Sequence, residues 1–217
     1  MKTDVFNQKG EKVSQIELNK IVFEVPLNES LVHQTLVMQL ANRRLGTADT
    51  KSRGEVCKST RKLFNQKHTG RARRGSAKTP LLKGGGVAFG PKPRSYRQAM
   101  PKKMRHLALR CVLSAKAGGR ELVVIDKFDF DKPKTKDIFE MLVALGIDTT
   151  VLIATDGMDD NTYKSIRNMA GVKMLTANLL NVADVLSYKK LLMTTAAVKK
   201  TEELWGQRRV EKAAVIE

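Results

Sequence analysis

Cysteines, aromatic residues and long apolar runs are scarce in this sequence, and each scarcity excludes a class of protein. The two cysteines, Cys57 and Cys111, form neither a disulfide framework nor a metal-type spacing. No apolar run approaches the roughly 20 residues that cross a bilayer, and the N-terminus lacks the basic-then-apolar order of a secretory signal. Aromatics make up 5% of the chain against 41% hydrophobic residues, so a core must be aliphatic. We expect a soluble protein of a reducing compartment.

Acids are missing from one long stretch of the chain. Between Arg43 and Arg105 there are 19 Lys and Arg residues but only two acids, Asp49 and Glu55, so this stretch carries +17 of the chain's net +18. Like charges at this density repel one another unless a partner neutralises them. The stretch therefore predicts binding to a polyanion, and nucleic acid is favoured over an anionic membrane surface.

Regular periodicity is also missing from residues 46–100, which we call the arm. Glycine and proline interrupt it repeatedly, notably at Gly70, Gly75 and Pro93, and its apolar content is too low to offset the entropy of ordering. An irregular connection of this length is rare inside a compact domain and is usually functional or disordered. We predict a hairpin-like arm that is flexible alone and fixed by its partner, with a reach of at most about 80 Å.

Helical and strand patterns return on either side of the arm. The first 25 residues alternate weakly through Phe23 and Val25, which predicts short strands, and a helix is predicted from Asn28 to Gly46. After the arm, a helix begins at Pro101 and ends at Gly118. The apolar stripe predicted on this second helix comprises Met104, Leu107, Ala108, Cys111 and Ala115.

Short apolar strands then alternate with further helices. The strands begin at Leu122, Val151 and Val172, and the helices between them end at Gly146 and Gly171. This order predicts right-handed βαβ units. The predicted fold class is α/β: a three-layer globular domain with a parallel sheet flanked by helices, and a long basic loop inserted near the N-terminal third.

The predicted domain boundaries follow from these patterns. Residues 1–45 and 101–205 form a single globular domain, residues 46–100 form the arm within it, and residues 206–217 form a flexible tail.

Closely spaced cations with small residues between them are the candidate RNA-binding groups. In the densest cluster, Lys67 to Ser76, guanidinium groups can each bind two phosphate oxygens while Gly and Ala let the backbone approach closely. A merely solubilising or nuclear-localisation-like run is the alternative, which the continuation of cations beyond Lys83 disfavours. The predicted RNA-binding residues are Arg43, Arg44, Lys51, Arg53, Lys58, Arg61, Lys62, Lys67, Arg71, Arg73, Arg74, Lys78, Lys83, Lys92, Arg94, Arg97, Lys102 and Lys103.

The glycines of the arm have two possible roles, and so do its aromatic residues. The Gly-rich segment does not match a phosphate-binding loop, which needs Gly-x4-Gly-Lys-Ser/Thr. The glycines instead predict a backbone that passes where side chains would clash, as between packed RNA elements, or else a plain flexible turn. Each aromatic either stacks on an unpaired base or packs on the arm itself. The glycines are Gly84, Gly85, Gly86 and Gly90, and the aromatics are Phe64, Phe89 and Tyr96.

Catalysis has little support in the sequence. Asp126 and Asp156 follow predicted strands, where α/β enzymes often place active sites, but no nucleophile or base is spaced to join them. We predict no catalytic residue, no metal site and no cofactor. A nucleic-acid enzyme would need a cluster of acids for a metal ion. An architectural nucleic-acid-binding protein would share the charge but not the Gly-rich motifs.

Three motifs resemble the family of bacterial-type ribosomal large-subunit protein four. They are Gln66-Lys67-x-Thr69-Gly70-Arg71-Ala72-Arg73-x-Gly75-Ser76, Gly84-Gly85-Gly86-Val87-Ala88-Phe89-Gly90-Pro91-Lys92-Pro93-Arg94, and Pro101-Lys102-Lys103-Met104. The resemblance extends over nearly the whole chain. It implies a non-enzymatic structural constituent of the large ribosomal subunit, located in the ribosome of the cytoplasm, with bacterial or organellar origin left open.

The resemblance also implies partners and a path for the arm. Large-subunit (23S-type) rRNA and neighbouring large-subunit proteins are the expected partners, and no self-association is expected. The arm would penetrate the rRNA and reach the nascent-peptide exit tunnel, with Lys67 and Arg71 facing the tunnel or its rRNA wall, near where macrolides bind. Family members join the subunit early in assembly, and some repress their own operon by binding its messenger. The implied tip comprises Gln66, Lys67, His68, Thr69, Gly70 and Arg71.

The chain departs from the family pattern just before this tip. Phe64, Asn65 and His68 stand where the family often has Trp, Arg and Gly. Loss of glycine at position 68 removes easy access to positive φ and adds an imidazole. The change bears on tip conformation and antibiotic response, whereas the cations that predict rRNA binding stay in place.

Overall fold

The computed structural model describes residues 1–128, 130 and 132–206. Its strands are β1 (Lys2–Phe6), β2 (Lys12–Glu17), β3 (Leu122–Ile125), β4 (Val151–Thr155), β5 (Val172–Thr176) and β6 (Lys190–Thr194). Its helices are α1 (Lys20–Phe23), α2 (Glu29–Arg43), α3 (Lys102–Gly118), α4 (Thr135–Ala144), α5 (Asp160–Ile166), α6 (Val182–Ser187) and α7 (Thr195–Gly206). Apart from Gly206, the predicted tail lies outside the described residues. Among these helices, none has the length and apolarity needed to cross a membrane.

The described strands form one six-stranded sheet in the order β2-β1-β3-β6-β4-β5. Every neighbouring pair from β1 to β5 in this order is parallel, whereas β2 lies antiparallel to β1 at the edge. The predicted α/β fold with a helix-flanked parallel sheet is confirmed, except that one edge strand is antiparallel. The sequence did not predict this antiparallel edge. The weak alternation near the N-terminus indicates strands, but it does not show which sheet they join or in which direction they run.

Strand side chains alternate between two hydrophobic cores, one on each face of the sheet. Leu152 and Ala154 of β4 pack with side chains of α1, α2, α3, α6 and α7. Val151 and Ile153 pack with side chains of α4 and α5. A strand buried on both faces requires an unbroken apolar run, which explains why these strands are recognisable from the sequence.

Polar caps begin several of the helices. The Asn28 side chain accepts a hydrogen bond from the Leu31 amide at 3.0 Å at the start of α2. Asn181 accepts from the Asp184 amide at 2.9 Å at the start of α6. Asp159 caps α5, and its hydrogen bond from Thr162 holds the pKa of that carboxyl below its ordinary value. Each cap satisfies an amide that has no partner within its own helix.

Some predicted boundaries are wrong. Phe23 lies in the short helix α1 rather than in a strand, because the Asn19 side chain caps the Ile21 amide at 2.9 Å and starts a helical turn. Helix α2 ends at Arg43, before Gly46, and α5 ends at Ile166, before Gly171. In these two cases the glycine, with positive φ of +68° and +76°, lies three and five residues beyond the helix end.

The predicted apolar stripe of α3 is also partly wrong. Leu107 and Ala115 are exposed, whereas Leu109, Val112 and Leu113 are buried. The buried face is wider than a single stripe because α3 packs in the same cluster as the sheet, α1 and α6. A helix enclosed in this way buries residues outside one i, i+4 row.

Two compact units divide the chain. The first comprises Met1–Leu40 together with the described residues from Ala99 onward, and the second comprises Ala41–Gln98. The sheet and both hydrophobic cores lie in the first unit. The second unit begins within the last turn of α2.

A buried lysine joins the end of α3 to the segments that lead into β3 and β6. Lys116 is 9% exposed. Its Nζ donates to Glu121 Oε2 at 2.7 Å and to the carbonyls of Tyr188 and Lys189, each at 3.0 Å. The hydrogen bond from Lys116 holds the pKa of Glu121 below its ordinary value. The three acceptors satisfy a charge that would otherwise be costly to bury.

We predict that Lys116→Met destabilises the first unit by about 2 kcal/mol, because it leaves a partly buried carboxylate and two carbonyls without their donor. Urea unfolding followed by far-UV circular dichroism measures the change. Lys136→Met is the matched control, because that lysine is 82% exposed in a 3.7 Å pair with Glu140; it should change stability by no more than about 0.5 kcal/mol. Equal effects of the two substitutions would contradict the structural role of Lys116.

Candidate nucleic-acid interface

Hydrogen bonds join two irregular limbs of the second unit into a hairpin. In seven of the joined pairs the residue numbers average between 69 and 70.5, which centres these pairs on one turn near Thr69 and Gly70. This constant centre is the signature of antiparallel pairing around a single reversal of the chain. The pairs are Asn42 with Gln98, Gly46 with Arg94, Thr50 with Pro91, Lys51 with Val87, Lys58 with Lys83, Lys62 with Ser76, and Leu63 with Gly75.

Arginine and tyrosine side chains pack together where the two limbs begin and end. The guanidinium carbons of Arg44 and Arg94 lie 3.8 and 4.5 Å from the centroid of the Tyr96 ring. A hydrogen bond with Arg94 and the positive charges of both arginines lower the pKa of the Tyr96 hydroxyl. A cation over an aromatic face is attracted by the ring quadrupole. Tyr96 therefore packs on the hairpin itself.

Gly46 permits this packing. Its φ is +68°, and a Cβ there would lie 2.1 Å from the Arg94 carbonyl oxygen and 3.0 Å from the Tyr96 ring. Arg44, Arg94 and Arg97 line an open cleft of about 820 Å³ at this end of the hairpin. The cleft is thus cationic and is framed by both limbs.

The two acids of the second unit both bind one lysine. Lys92 Nζ lies 3.0 Å from Asp49 Oδ1 and 2.8 Å from Glu55 Oε2, and Glu55 also accepts from the Ser52 amide at 2.7 Å. Hydrogen bonds from Lys92 and then Ser52 lower the pKa of Glu55 to about 2, and the carboxylates raise the pKa of Lys92. This clamp connects the limbs and uses every carboxylate side chain between residues 41 and 98.

The glycines of the returning limb pack against the chain itself. A Cβ on Gly85 would lie 1.9 Å from the Thr79 carbonyl oxygen, and one on Gly86 would lie 2.4 Å from the Arg53 amide nitrogen. A Cβ on Gly90 would lie 2.1 Å from Thr50 Oγ1. Gly84 has φ +74° and lies against the Lys58 ammonium. Gly85 and Gly86 therefore lie against the hairpin's own backbone, whereas Gly84 and Gly90 lie against the side chains of Lys58 and Thr50.

The turn of the hairpin lies within the segment from Gln66 to Arg71. The Lys62 ammonium donates to the Gln66 side chain just before the turn. His68 has φ +67° and Gly70 has φ +63°. His68 thus adopts the left-handed conformation that glycine adopts readily, and histidine is one of the few other residues that occur there with some frequency.

The predicted cations divide between the two units. Lys102 and Lys103 lie in the first turn of α3, in the first unit, and the other sixteen lie in the second unit. All eighteen are exposed except Arg74 and Lys78, which are half-buried. The hairpin therefore displays nearly all of its positive charge to solvent.

Sequence reasoning missed the clamp on Lys92 and the packing of Arg44 on Tyr96. Both are contacts between residues about 40 to 50 positions apart, for which a single sequence gives no local period. The sequence held one signal for each contact. The clamp could have been suspected because acids are rare in this basic segment, and the packing because Tyr96 is the segment's only tyrosine.

Metal binding and catalysis have no evident site in the part of the chain that the structure describes. No group of three or more His, Cys, Asp or Glu residues could hold a metal ion there. Asp156 pairs with Lys200 at 2.8 Å, and the Asp126 carbonyl accepts from Thr195 at 3.0 Å. The Cys111 thiol is buried and donates to the Pro26 carbonyl at 3.4 Å.

Comparison with known proteins identifies the family of this basic hairpin and its α/β unit. Residues 16–204 match the sequence profile of the ribosomal protein L4/L1 family. The chain belongs to the ribosomal protein L4/L1 family. Large ribosomal subunit protein uL4 of Dehalococcoides mccartyi (strain CBDB1) is 52% identical to this family member over 208 residues, which is 96% of this chain and 99% of the relative.

Other relatives agree with this membership of the L4/L1 family. The uL4 protein of Symbiobacterium thermophilum is 47% identical over 205 residues, covering 94% of this chain and 99% of the relative. That of Desulforapulum autotrophicum is 50% identical over 199 residues, covering 92% and 96%. The protein is accordingly a non-enzymatic structural constituent of the large ribosomal subunit, with the bacterial-type cytoplasmic ribosome as its location. The resemblance to this family read from the arm motifs is confirmed.

We predict that Gly86→Ala loosens the hairpin, because the added methyl group meets the Arg53 backbone. Overpacking of this kind costs about 1–3 kcal/mol, so exchange of the Val87 amide hydrogen, which bonds the Lys51 carbonyl at 2.9 Å, should quicken roughly 5- to 150-fold. Gly75→Ala is the matched control, because nothing lies within 4 Å of its Cβ position. If both substitutions gave the same exchange rate, close packing at Gly86 would be refuted.

We predict that the Glu55 carboxyl titrates with a midpoint near 2, well below its ordinary 4.5. Because the pKa of Glu55 is lower in the folded than in the unfolded chain, the clamp contributes its full stabilisation above pH 4.5. That stabilisation decreases below pH 4.5 and is lost as the pH falls through about 2. Carboxyl carbon shifts in nuclear magnetic resonance spectra report the midpoint. Lys92→Met should move it up toward 4.5, whereas Lys83→Met, which removes the same charge elsewhere in the hairpin, should leave it in place. An unchanged midpoint in Lys92→Met would disprove the clamp.

Proposed function

We propose that this protein binds large-subunit (23S-type) rRNA through its basic arm and helps to assemble the subunit around it. The observation that carries the proposal is the charge of the hairpin: its two acids both bind Lys92, so no carboxylate side chain of the second unit is left to neutralise its other cations. Phosphates closely packed on either side of the hairpin supply that neutralisation.

The exposed cations determine what kind of recognition this is. Guanidinium groups such as those of Arg71 and Arg73 bind phosphate oxygens in pairs, whereas lysines such as Lys67 act as point charges. Phosphate contacts fix position and orientation but carry little sequence information. The rRNA is therefore recognised through its shape and through the spacing of its backbones.

The tip segment from Gln66 to Arg71 reaches the nascent-peptide exit tunnel in this proposal. Two features support it: seven cross-limb pairs are centred near Thr69 and Gly70, and the family motif around the tip is present on both sides of His68. Lys67 and Arg71 then face the tunnel or its rRNA wall.

The first unit acts as the anchor in the same proposal. Apart from Lys102, Lys103 and Arg105, which belong to the basic stretch, the first unit is nearly neutral, so it contributes a rigid α/β body that contacts the subunit surface and neighbouring ribosomal proteins. Repression of its own operon stays a prediction of family resemblance: the same arm would bind a structured messenger through phosphates and shape.

The salt dependence of binding tests the electrostatic arm. With on the order of ten phosphate contacts, log–log plots of affinity for transcribed large-subunit rRNA against salt should have a slope near −7 to −9. Replacing Lys67, Arg71 and Arg73 together with Gln should make that slope shallower by about 2 to 3 and weaken binding to all rRNA fragments.

A matched triple variant controls for total charge. Lys9, Lys20 and Lys199 are exposed in the first unit, and their joint replacement by Gln removes the same three charges while leaving the slope nearly unchanged. If wild-type affinity hardly responds to salt, or if the two triple variants lose affinity equally, the RNA-binding surface is not the arm.

A further inference from the structure

Phe89 is the most exposed large apolar residue of the described chain, with a relative exposure of 107%. Exposed single apolar residues are common, but a fully exposed aromatic ring is unusual because its burial is strongly favourable. Leu45 and Leu81, at 86%, are the next most exposed. Phe89 lies on the basic hairpin, among the cations that carry the proposed RNA binding.

The backbone at Phe89 is in an unfavourable conformation. Its φ is +53°, in the left-handed region where a bulky side chain is a genuine outlier. Strain of this kind persists only where the surrounding structure imposes it, and it occurs preferentially at binding sites. The exposed ring and the unfavourable φ are separate observations on one residue.

Contacts on both sides of Phe89 impose this conformation. The Val87 amide donates to the Lys51 carbonyl at 2.9 Å, which fixes the chain just before it. On the other side, Gly90 packs so closely on Thr50 that a Cβ would lie 2.1 Å from its Oγ1, and that hydroxyl donates to the Pro91 carbonyl at 3.3 Å. The turn is thus held at both ends, and the ring between them stays in solvent.

The other two aromatics of the hairpin are used differently. The Tyr96 ring is covered by the guanidinium groups of Arg44 and Arg94, and Phe64 is half-buried. The two interpretations open for the arm's aromatics therefore separate: packing on the hairpin accounts for Tyr96, whereas the Phe89 ring is presented outward.

We propose that the ring of Phe89 stacks on one unpaired nucleobase of the rRNA. This inference rests on the proposed RNA-binding function and adds a ligand that phosphate contacts do not specify. Lys51 and Arg53, both exposed, lie on the facing limb opposite Val87 and Gly86, where they can attract the phosphates that flank such a base. Aromatic rings accept any base whose face is free, so the site selects loops and bulges over continuous duplex.

Substitutions of Phe89 in the full-length chain test the stacking. Phe89→Ala should weaken binding to transcribed large-subunit rRNA about tenfold or more, while Phe89→Trp, which keeps a stacking face, should bind at least as tightly as the wild type. Phe89→Leu should behave like Phe89→Ala, because it keeps apolar surface but no ring. Leu81→Ala is the matched control, since it shortens another exposed apolar side chain of the hairpin and should have no effect.

Two further readouts separate stacking from the electrostatic proposal. The salt slope of Phe89→Ala should equal that of the wild type, because no cation is removed, and binding to a plain RNA duplex should not change. A steep wild-type slope with undiminished affinity in Phe89→Ala would overturn the stacking proposal alone. Full affinity in Phe89→Leu would overturn it too, as would normal rRNA binding by Phe89→Ala with poor incorporation into the subunit, since that would indicate a protein partner for the ring.

Discussion

Repulsion among the cations of the second unit is the constraint on which the rest of the arm depends. With two acids between residues 41 and 98, both bound to Lys92, the limbs cannot be held together by alternating charges. Apart from the single Lys92 clamp, they are held by backbone hydrogen bonds, by the Asn42 amide and by glycines that let one limb touch the other. Because these contacts use backbone and small groups, the long cationic side chains stay exposed for phosphates.

The two units differ in how much apolar surface they bury, and therefore in how much the hydrophobic effect stabilises them. The first has two aliphatic cores on opposite faces of its sheet, whereas Gly86 is the only residue between 41 and 98 that is buried. A unit with almost no buried apolar surface gains little from the hydrophobic effect to offset its conformational entropy. Its hydrogen bonds supply part of the order, and a polyanion that binds the exposed cations would supply the remainder. Under the proposed function, folding energy and RNA binding reside in separate parts of the chain.

Local features of the sequence predicted most of this arrangement. Apolar runs such as Val151–Ala154 identify strands because burial on both faces requires consecutive apolar residues, and the charge count together with the missing periodicity predicted the basic arm. Contacts between distant residues could not be predicted. The sequence left Gly85 and Gly86 with two interpretations, passage between packed RNA elements or a plain flexible turn, and gave no sign that the chain's own backbone lies against both. Likewise, no local pattern pairs Lys92 with Asp49 and Glu55, since 37 or more residues separate them.

His68 shows how the hairpin imposes a backbone conformation on its sequence. The family resemblance leads us to expect glycine at this position, which would adopt a positive φ easily. His68 nevertheless has φ +67°, close to the +63° of Gly70, because antiparallel pairing from Lys62 and Ser76 inward requires the chain to reverse here. A non-glycine residue in this region costs about 1–2 kcal/mol. The pairing of the limbs therefore maintains the turn even without glycine at position 68. The change affects the side chain at the turn, which is an imidazole.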